Sequence, residues 1–128
     1  MADPEWTHKC QVEKLSEDFM RANADKINWI SVSEYQKLSE QFIREFQDKL
    51  SWSRIICFQK LSINFVREFY DKIKWDDLSY FCDNLMEKEK FVLEFKDKIN
   101  WYYLFTRYKY TKKIQKRFEN EREWKFEK

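Results

Sequence analysis

The 128-residue chain has no glycine, one proline, one histidine and three cysteines. Without glycine, links cannot use the residue that enters φ > 0 freely. Tight corners at negative φ, or asparagine and other polar residues at the special positions, must serve instead. The same absence excludes glycine-rich loops that cradle phosphates. The single proline, Pro4, suits a helix start. His8 stands alone beside Lys9 and Cys10. Neighbours on a helix do not face each other, and no zinc-type spacing accompanies them, so neither catalysis nor a metal is expected there. β-Branched residues are few and alternation is poor, which argues against strands. No run approaches the roughly 20 apolar residues of a membrane span. The opening Met1–Trp6 stretch lacks the basic start and apolar run of a secretory signal, so none is expected. Cys10, Cys57 and Cys82 are odd in number and far apart. They read as reduced thiols in an intracellular compartment, acting as small buried hydrophobes.

What the chain has is a repeat. Leu38-Ser-Glu-Gln-Phe-Ile-Arg-Glu-Phe-Gln-Asp-Lys-Leu-Ser-Trp52 returns 23 residues later as Leu61–Trp75 and 23 residues earlier as Leu15–Trp29. A fourth copy, Phe91–Trp101, is displaced by 26. All six tryptophans, Trp6, Trp29, Trp52, Trp75, Trp101 and Trp124, fall on this ladder. Such a period implies stacked supersecondary units. Aromatics make up 20% of the residues, which predicts that rings rather than aliphatics fill the core.

Each unit reads as two short helices. Ser16, Ser39 and Ser62 stand at N-cap positions of the first helix, which in the second copy spans Ser39 to about Lys49. Phe42, Ile43 and Phe46 form its apolar stripe. Asn28, Ser51 and Asn100 can cap a second helix that begins at the tryptophan, with Asp76 and Asp77 supplying charge where Lys74 cannot. That second helix carries Ile30, Val32 and Tyr35 in one copy and Ile55, Ile56 and Phe58 in the next. The competing reading is one long helix per unit, kinked at the Asp-Lys pair. Residues 1–14 read as an N-terminal cap or half repeat, 15–105 as the repeats, and 106–128 as a basic C-terminal helix with a charged tail. The segment Asp83–Glu89 holds the three extra residues of the fourth copy. The expected fold is therefore all-α, an α-solenoid-like array of short helix pairs in one domain.

The unit resembles a short repeat found in proteins of large nucleocytoplasmic DNA viruses of amoebae, with similar units in some bacterial proteins. The resemblance covers roughly residues 6–105. It implies a helical array and a viral setting, in the host cytoplasm or nucleus or in the virion. It carries no general activity. Residues 83–90 and the stretch after Trp101 depart from it.

Trp29, Trp52, Trp75 and Trp101 are expected to fill the grooves between stacked pairs, since their period is that of the fold. Asp25, Asp48, Asp71 and Asp97 each precede a lysine late in the first helix, where a carboxylate opposes the macrodipole. The compensation expected is a hydrogen bond across the corner, to a backbone N–H or to the indole N–H. Arg44-Glu45 and Arg67-Glu68 read as a solvated flank with weak ion pairs. Charge is uneven. Residues 1–97 hold 15 basic and 19 acidic side chains, net −4, whereas residues 98–128 hold 10 and 4, net +6. Lys109, Lys112, Lys113, Lys116 and Arg117, flanked by Arg107, form one cationic helix face that suits a phosphate backbone. The expectation is a non-enzymatic binding or scaffold protein with a protein partner and neither cofactor nor metal. The alternative is nonspecific nucleic-acid binding through that basic face.

Overall fold

The computed structural model describes residues 3–107 and 116. Every regular element among them is helical. Unit 1 ends at Leu61 and unit 2 begins at Ser62. Unit 1 contains α1 (Pro4–Val12), α2 (Glu17–Ala22), α3 (Trp29–Tyr35), α4 (Glu40–Glu45) and α5 (Trp52–Phe58). Unit 2 contains α6 (Ile63–Glu68), a 3-10 turn (Tyr70–Lys72), α7 (Trp75–Phe81), α8 (Asp83–Met86), α9 (Glu89–Glu94) and α10 (Trp101–Arg107). The two-helix reading of the repeat therefore holds, and the single kinked helix does not. The first helices are shorter than expected: α4 stops at Glu45, and Phe46–Lys49 is a turn.

Capping explains where the helices start. The hydroxyls of Ser16, Ser39 and Ser62 each accept from the backbone N–H three residues on, at 3.1 Å. Asn28 and Asn100 do the same for α3 and α10 at 3.1 and 3.0 Å. Ser51, expected to cap α5, makes no side-chain cap bond. Asp3 caps α1, with Pro4 in its first turn.

The ends follow from the missing glycine. First helices close at Asn23, Phe46, Phe69 and Phe95, with φ from −118° to −105° and ψ of 26–28°. This sparsely allowed bridge region needs no positive φ. The turn is then fastened by a backbone bond three residues on. Lys26, Lys49, Lys72 and Lys98 donate to the carbonyls of those closing residues, each at 2.9 Å. The helices α1, α3 and α5 leave instead through extended residues Glu13, Gln36 and Gln59.

The core corrects the expectation of rings. One phenylalanine in each of the last three copies is fully buried, Phe42, Phe65 and Phe91, whereas Phe19 of the first is half-buried. Around these, aliphatic residues recur: Ile43, Val66 and Val92; Ile27, Leu50, Ile73 and Ile99; Val32, Ile55, Leu78 and Leu104. Trp29, Trp52 and Trp75 are only half-buried, and Trp101 alone of the four is buried. An indole's N–H needs an acceptor, which favours a rim position.

The second-helix stripe is also divided. Val32, Ile55 and Ile56 face inward, whereas Ile30, Tyr35 and Phe58 are exposed. In unit 1, α3 packs against both α1 and α5. In unit 2, α7 packs against α10 and α8 against α9. The segment that holds the three extra residues forms α8, a helical turn that buries Leu85 and Met86. No helix among the described residues is long and apolar enough to cross a membrane.

Candidate interaction surface

Two buried glutamines set the register of unit 1. Gln36 Nε2 donates to the carbonyls of Cys10 and Glu13, both at 2.7 Å, while its Oε1 accepts from Leu15 N–H at 2.9 Å. One period later, Gln59 Nε2 donates to the carbonyls of Ser33 (2.9 Å) and Gln36 (2.7 Å), and its Oε1 accepts from Leu38 N–H at 3.1 Å. The last carbonyls of a helix have no intrahelical partner. Here the next repeat supplies donors to α1 and α3. The position reached after a further 23 residues is Cys82, which has no amide to offer, and α8 follows it directly.

The glutamine's inward turn decides what its neighbours do. Backbone extended at Gln36 and Gln59 sends alternate side chains to opposite sides. Gln36 and Leu38 point in, whereas Tyr35 and Lys37 are exposed; Gln59 and Leu61 point in, whereas Phe58 and Lys60 are exposed. Val12, the last residue of α1, and Lys14 beyond it are exposed at the matching positions. Val12, Tyr35 and Phe58 thus close three stacked helices with exposures of 62%, 54% and 57%. The Tyr35 hydroxyl is held above the usual phenol range by its hydrogen bond to Glu34, with a smaller direct effect of the same carboxylate. Glu34 in turn accepts from Arg54 Nε at 3.4 Å.

In unit 2, Phe81 closes α7 and is 49% exposed, one period beyond Phe58 in sequence. It stands edge-on to Tyr80 at 4.8 Å between ring centroids, and Tyr80 meets Tyr103 of α10 at 5.4 Å. Asp83, not lysine, occupies the position two residues after Phe81.

The expected site residues fall out as follows. Each indole N–H donates to the carbonyl five residues back: Trp29 to Ala24 (3.1 Å), Trp52 to Gln47 (2.9 Å), Trp75 to Tyr70 (3.4 Å) and Trp101 to Lys96 (2.9 Å). An indole has one proton to give. It goes to the backbone just before the aspartate, so the aspartates do not receive it. Asp25, Asp48, Asp71 and Asp97 all lie on the exposed outside of their corners. Trp29 and Trp75 also meet the first helix of the next copy, Trp29 with Phe46 at 4.8 Å and Trp75 with Phe95 at 5.1 Å.

The Arg-Glu flank links consecutive copies. Arg21 Nε donates to Glu45 at 2.9 Å in unit 1. In unit 2, Arg67 donates through Nε and Nη2 to the two oxygens of Glu94 at 2.6 and 2.7 Å. Those bonds hold the Glu94 carboxyl below its ordinary range.

Cys10 and Cys82 are buried and Cys57 half-buried, all as free thiols. No group of three metal-ligating side chains occurs among the described residues. Of the basic face, Lys109, Lys112, Lys113 and Arg117 lie outside the described residues. Arg107 closes α10, and Lys116 is exposed. Protein-family models, curated proteins and solved structures give no match to this chain.

Sequence reasoning missed the glutamine clamps and the exposed row. A signal for both was present. Gln36 and Gln59 repeat one period apart, each between an apolar residue and a lysine. A polar residue repeated at the end of an apolar stripe marks a place where backbone groups need partners.

Proposed function

We propose that this chain is a non-enzymatic helical-repeat module that binds a protein partner along the row Val12, Tyr35 and Phe58. The observation that carries the reading is the exposure of three apolar side chains at one repeat position of three stacked helices. Single exposed apolar residues are ordinary on a surface, but an aligned set is characteristic of binding sites. Repeat proteins use equivalent positions of successive units in this way, and the packing of α3 against both α1 and α5 supports an α-solenoid-like reading. The glutamine clamps add rigidity beneath the row, so little ordering is needed on association. The free thiols and the resemblance to repeats of amoebal viruses support a viral factor working inside the host cell.

Site-specific photocrosslinking tests the reading. A benzophenone side chain at position 35 or 58 should trap one protein, while the same group at position 48, in the turn that follows α4, should not. With that protein purified, the double variant Tyr35→Ser, Phe58→Ser should bind about tenfold or more weakly, as expected for central interface aromatics. Unchanged affinity of the double variant overturns the proposal.

A further inference from the structure

Resting on that reading, we infer the chemistry of the partner: the row takes an acidic amphipathic helix. Lys14, Lys37 and Lys60 each follow an apolar rung by two residues, all three are exposed, and none forms an ion pair with a described residue. The carboxylates next in sequence to Val12 and Tyr35 already have cationic partners. Glu13 accepts from Lys9 at 2.9 Å and Glu34 from Arg54 at 3.4 Å. The helix ends themselves do not repel an anion as bare carbonyls would, because Gln36 and Gln59 donate to four of those carbonyls. An apolar row thus runs beside a row of uncompensated positive charge, which suits a partner carrying apolar side chains flanked by carboxylates.

Spacing narrows the form. Helices packed side by side lie about 8–10 Å apart, so successive rungs stand on the order of 10 Å from each other. A partner α-helix rises 1.5 Å per residue, so seven residues cover about 10.5 Å and return to nearly the same face. Apolar residues at i, i+7 and i+14, with Asp or Glu beside them, meet Val12, Tyr35 and Phe58 in turn and leave carboxylates near the lysines. A strand of nucleic acid would also welcome the lysines, but Val12 offers no ring for a base to stack on.

The test uses the full chain and a designed helical peptide of about 18 residues, with leucines at i, i+7 and i+14 and glutamates flanking them, in a fluorescence anisotropy titration. Comparison ligands are the same peptide with lysines for the glutamates, a scrambled acidic peptide, and a short DNA duplex. The expected result is binding of the acidic amphipathic peptide about tenfold or more tightly than the other ligands, weakening as salt rises. The triple variant Lys14→Gln, Lys37→Gln, Lys60→Gln should lose about tenfold, and Tyr35→Ser, Phe58→Ser at least as much. Circular dichroism confirms that each variant keeps its helices. Tighter binding of the basic peptide, lost in Tyr35→Ser, Phe58→Ser, overturns the acidic partner and leaves the row as a binding surface. Tighter binding of duplex DNA, or no binding of the acidic peptide up to about 1 mM, also overturns the inference. Failure of the row itself would appear separately, as indifference of the crosslinked partner to the serine variant.

Discussion

Gln59 reaches back 26 residues to donate its side-chain amide to the carbonyl of Ser33, as Gln36 does to the carbonyl of Cys10. The two pairings lie one period apart, so the repeat is written in long-range hydrogen bonds as well as in hydrophobic burial. Each clamp satisfies three backbone groups, and Gln59 is itself buried. Replacing Gln59 by leucine keeps the approximate volume and removes every bond. The carbonyls of Ser33 and Gln36 and the N–H of Leu38 would then lose this partner. An unsatisfied buried polar group costs about 1–3 kcal/mol, so Gln59→Leu should lower stability by roughly 2–4 kcal/mol in urea denaturation. An unchanged midpoint would show that water replaces the amide at no cost.

The indole bonds and the phenylalanine core predict different penalties. Phe65 is fully buried, and Phe65→Ala should cost about 3–5 kcal/mol as a core truncation. Trp52 is half-buried and donates to the Gln47 carbonyl at 2.9 Å. Trp52→Phe keeps a ring at the rim and loses that bond, for a cost of about 1 kcal/mol. Thermal or urea unfolding of both variants checks the order. A Trp52→Phe penalty equal to that of Phe65→Ala would mean that the indole fills a core position after all.

The Arg67–Glu94 pair makes a prediction with a defined pH window. The hydrogen bonds from Arg67, more than its through-space charge, lower the Glu94 pKa from an ordinary value of 4.5. A carboxyl with a depressed folded-state pKa favours folding above its unfolded pKa. The advantage fades as pH falls through the folded value. The native chain should therefore exceed Glu94→Gln in urea midpoint at pH 7, and the gap should close as pH drops below 4.5. Both groups are exposed, so the gap is small and should shrink with added salt. A gap that widens in acid would contradict the assignment.

The helix pairs could be read from the sequence because their causes are local. Ser39 caps Phe42 three residues on, and the Phe42-Ile43 pair repeats at the core positions of neighbouring copies. The absence of glycine correctly forecast corners with negative φ, as at Phe46 and Gln36. What escaped lies between copies. Nothing within one period of sequence shows that Gln59 meets Ser33, or that Arg21 meets Glu45. Periodicity also marks recurrence without telling inside from outside. Trp52 recurs as faithfully as Phe42, and Phe58 returns as Tyr35 and Phe81, yet Trp52 sits at a rim and Phe58 faces solvent. Of the two bonds expected for the aspartates, the one to the indole fails for a related reason: that proton goes to the preceding carbonyl. Asp48 stands beside a corner that the Lys49 N–H and the Trp52 indole already fasten through backbone carbonyls.

The exposed row yields the prediction that separates a binding surface from a core. Tyr35 and Phe58 lie more than half exposed at the ends of α3 and α5, whereas Val32 and Ile55, three residues earlier, are fully buried. Truncating an exposed residue removes few packing contacts, and such surface changes usually fall within about 0.5 kcal/mol. Phe58→Ser should therefore leave the urea midpoint nearly unchanged, as should Tyr35→Ser once its hydrogen bond to Glu34 is lost. Ile55→Ala should cost about 2–5 kcal/mol by the same measurement, since it opens a cavity. Solubility should move the other way, with the serine variants less prone to self-association because two exposed rings are gone. A phenylalanine that can be removed without loss of stability is retained by something other than folding. If Phe58→Ser destabilised the chain as much as Ile55→Ala, the ring would be a packing residue and the row would lose its claim to a partner.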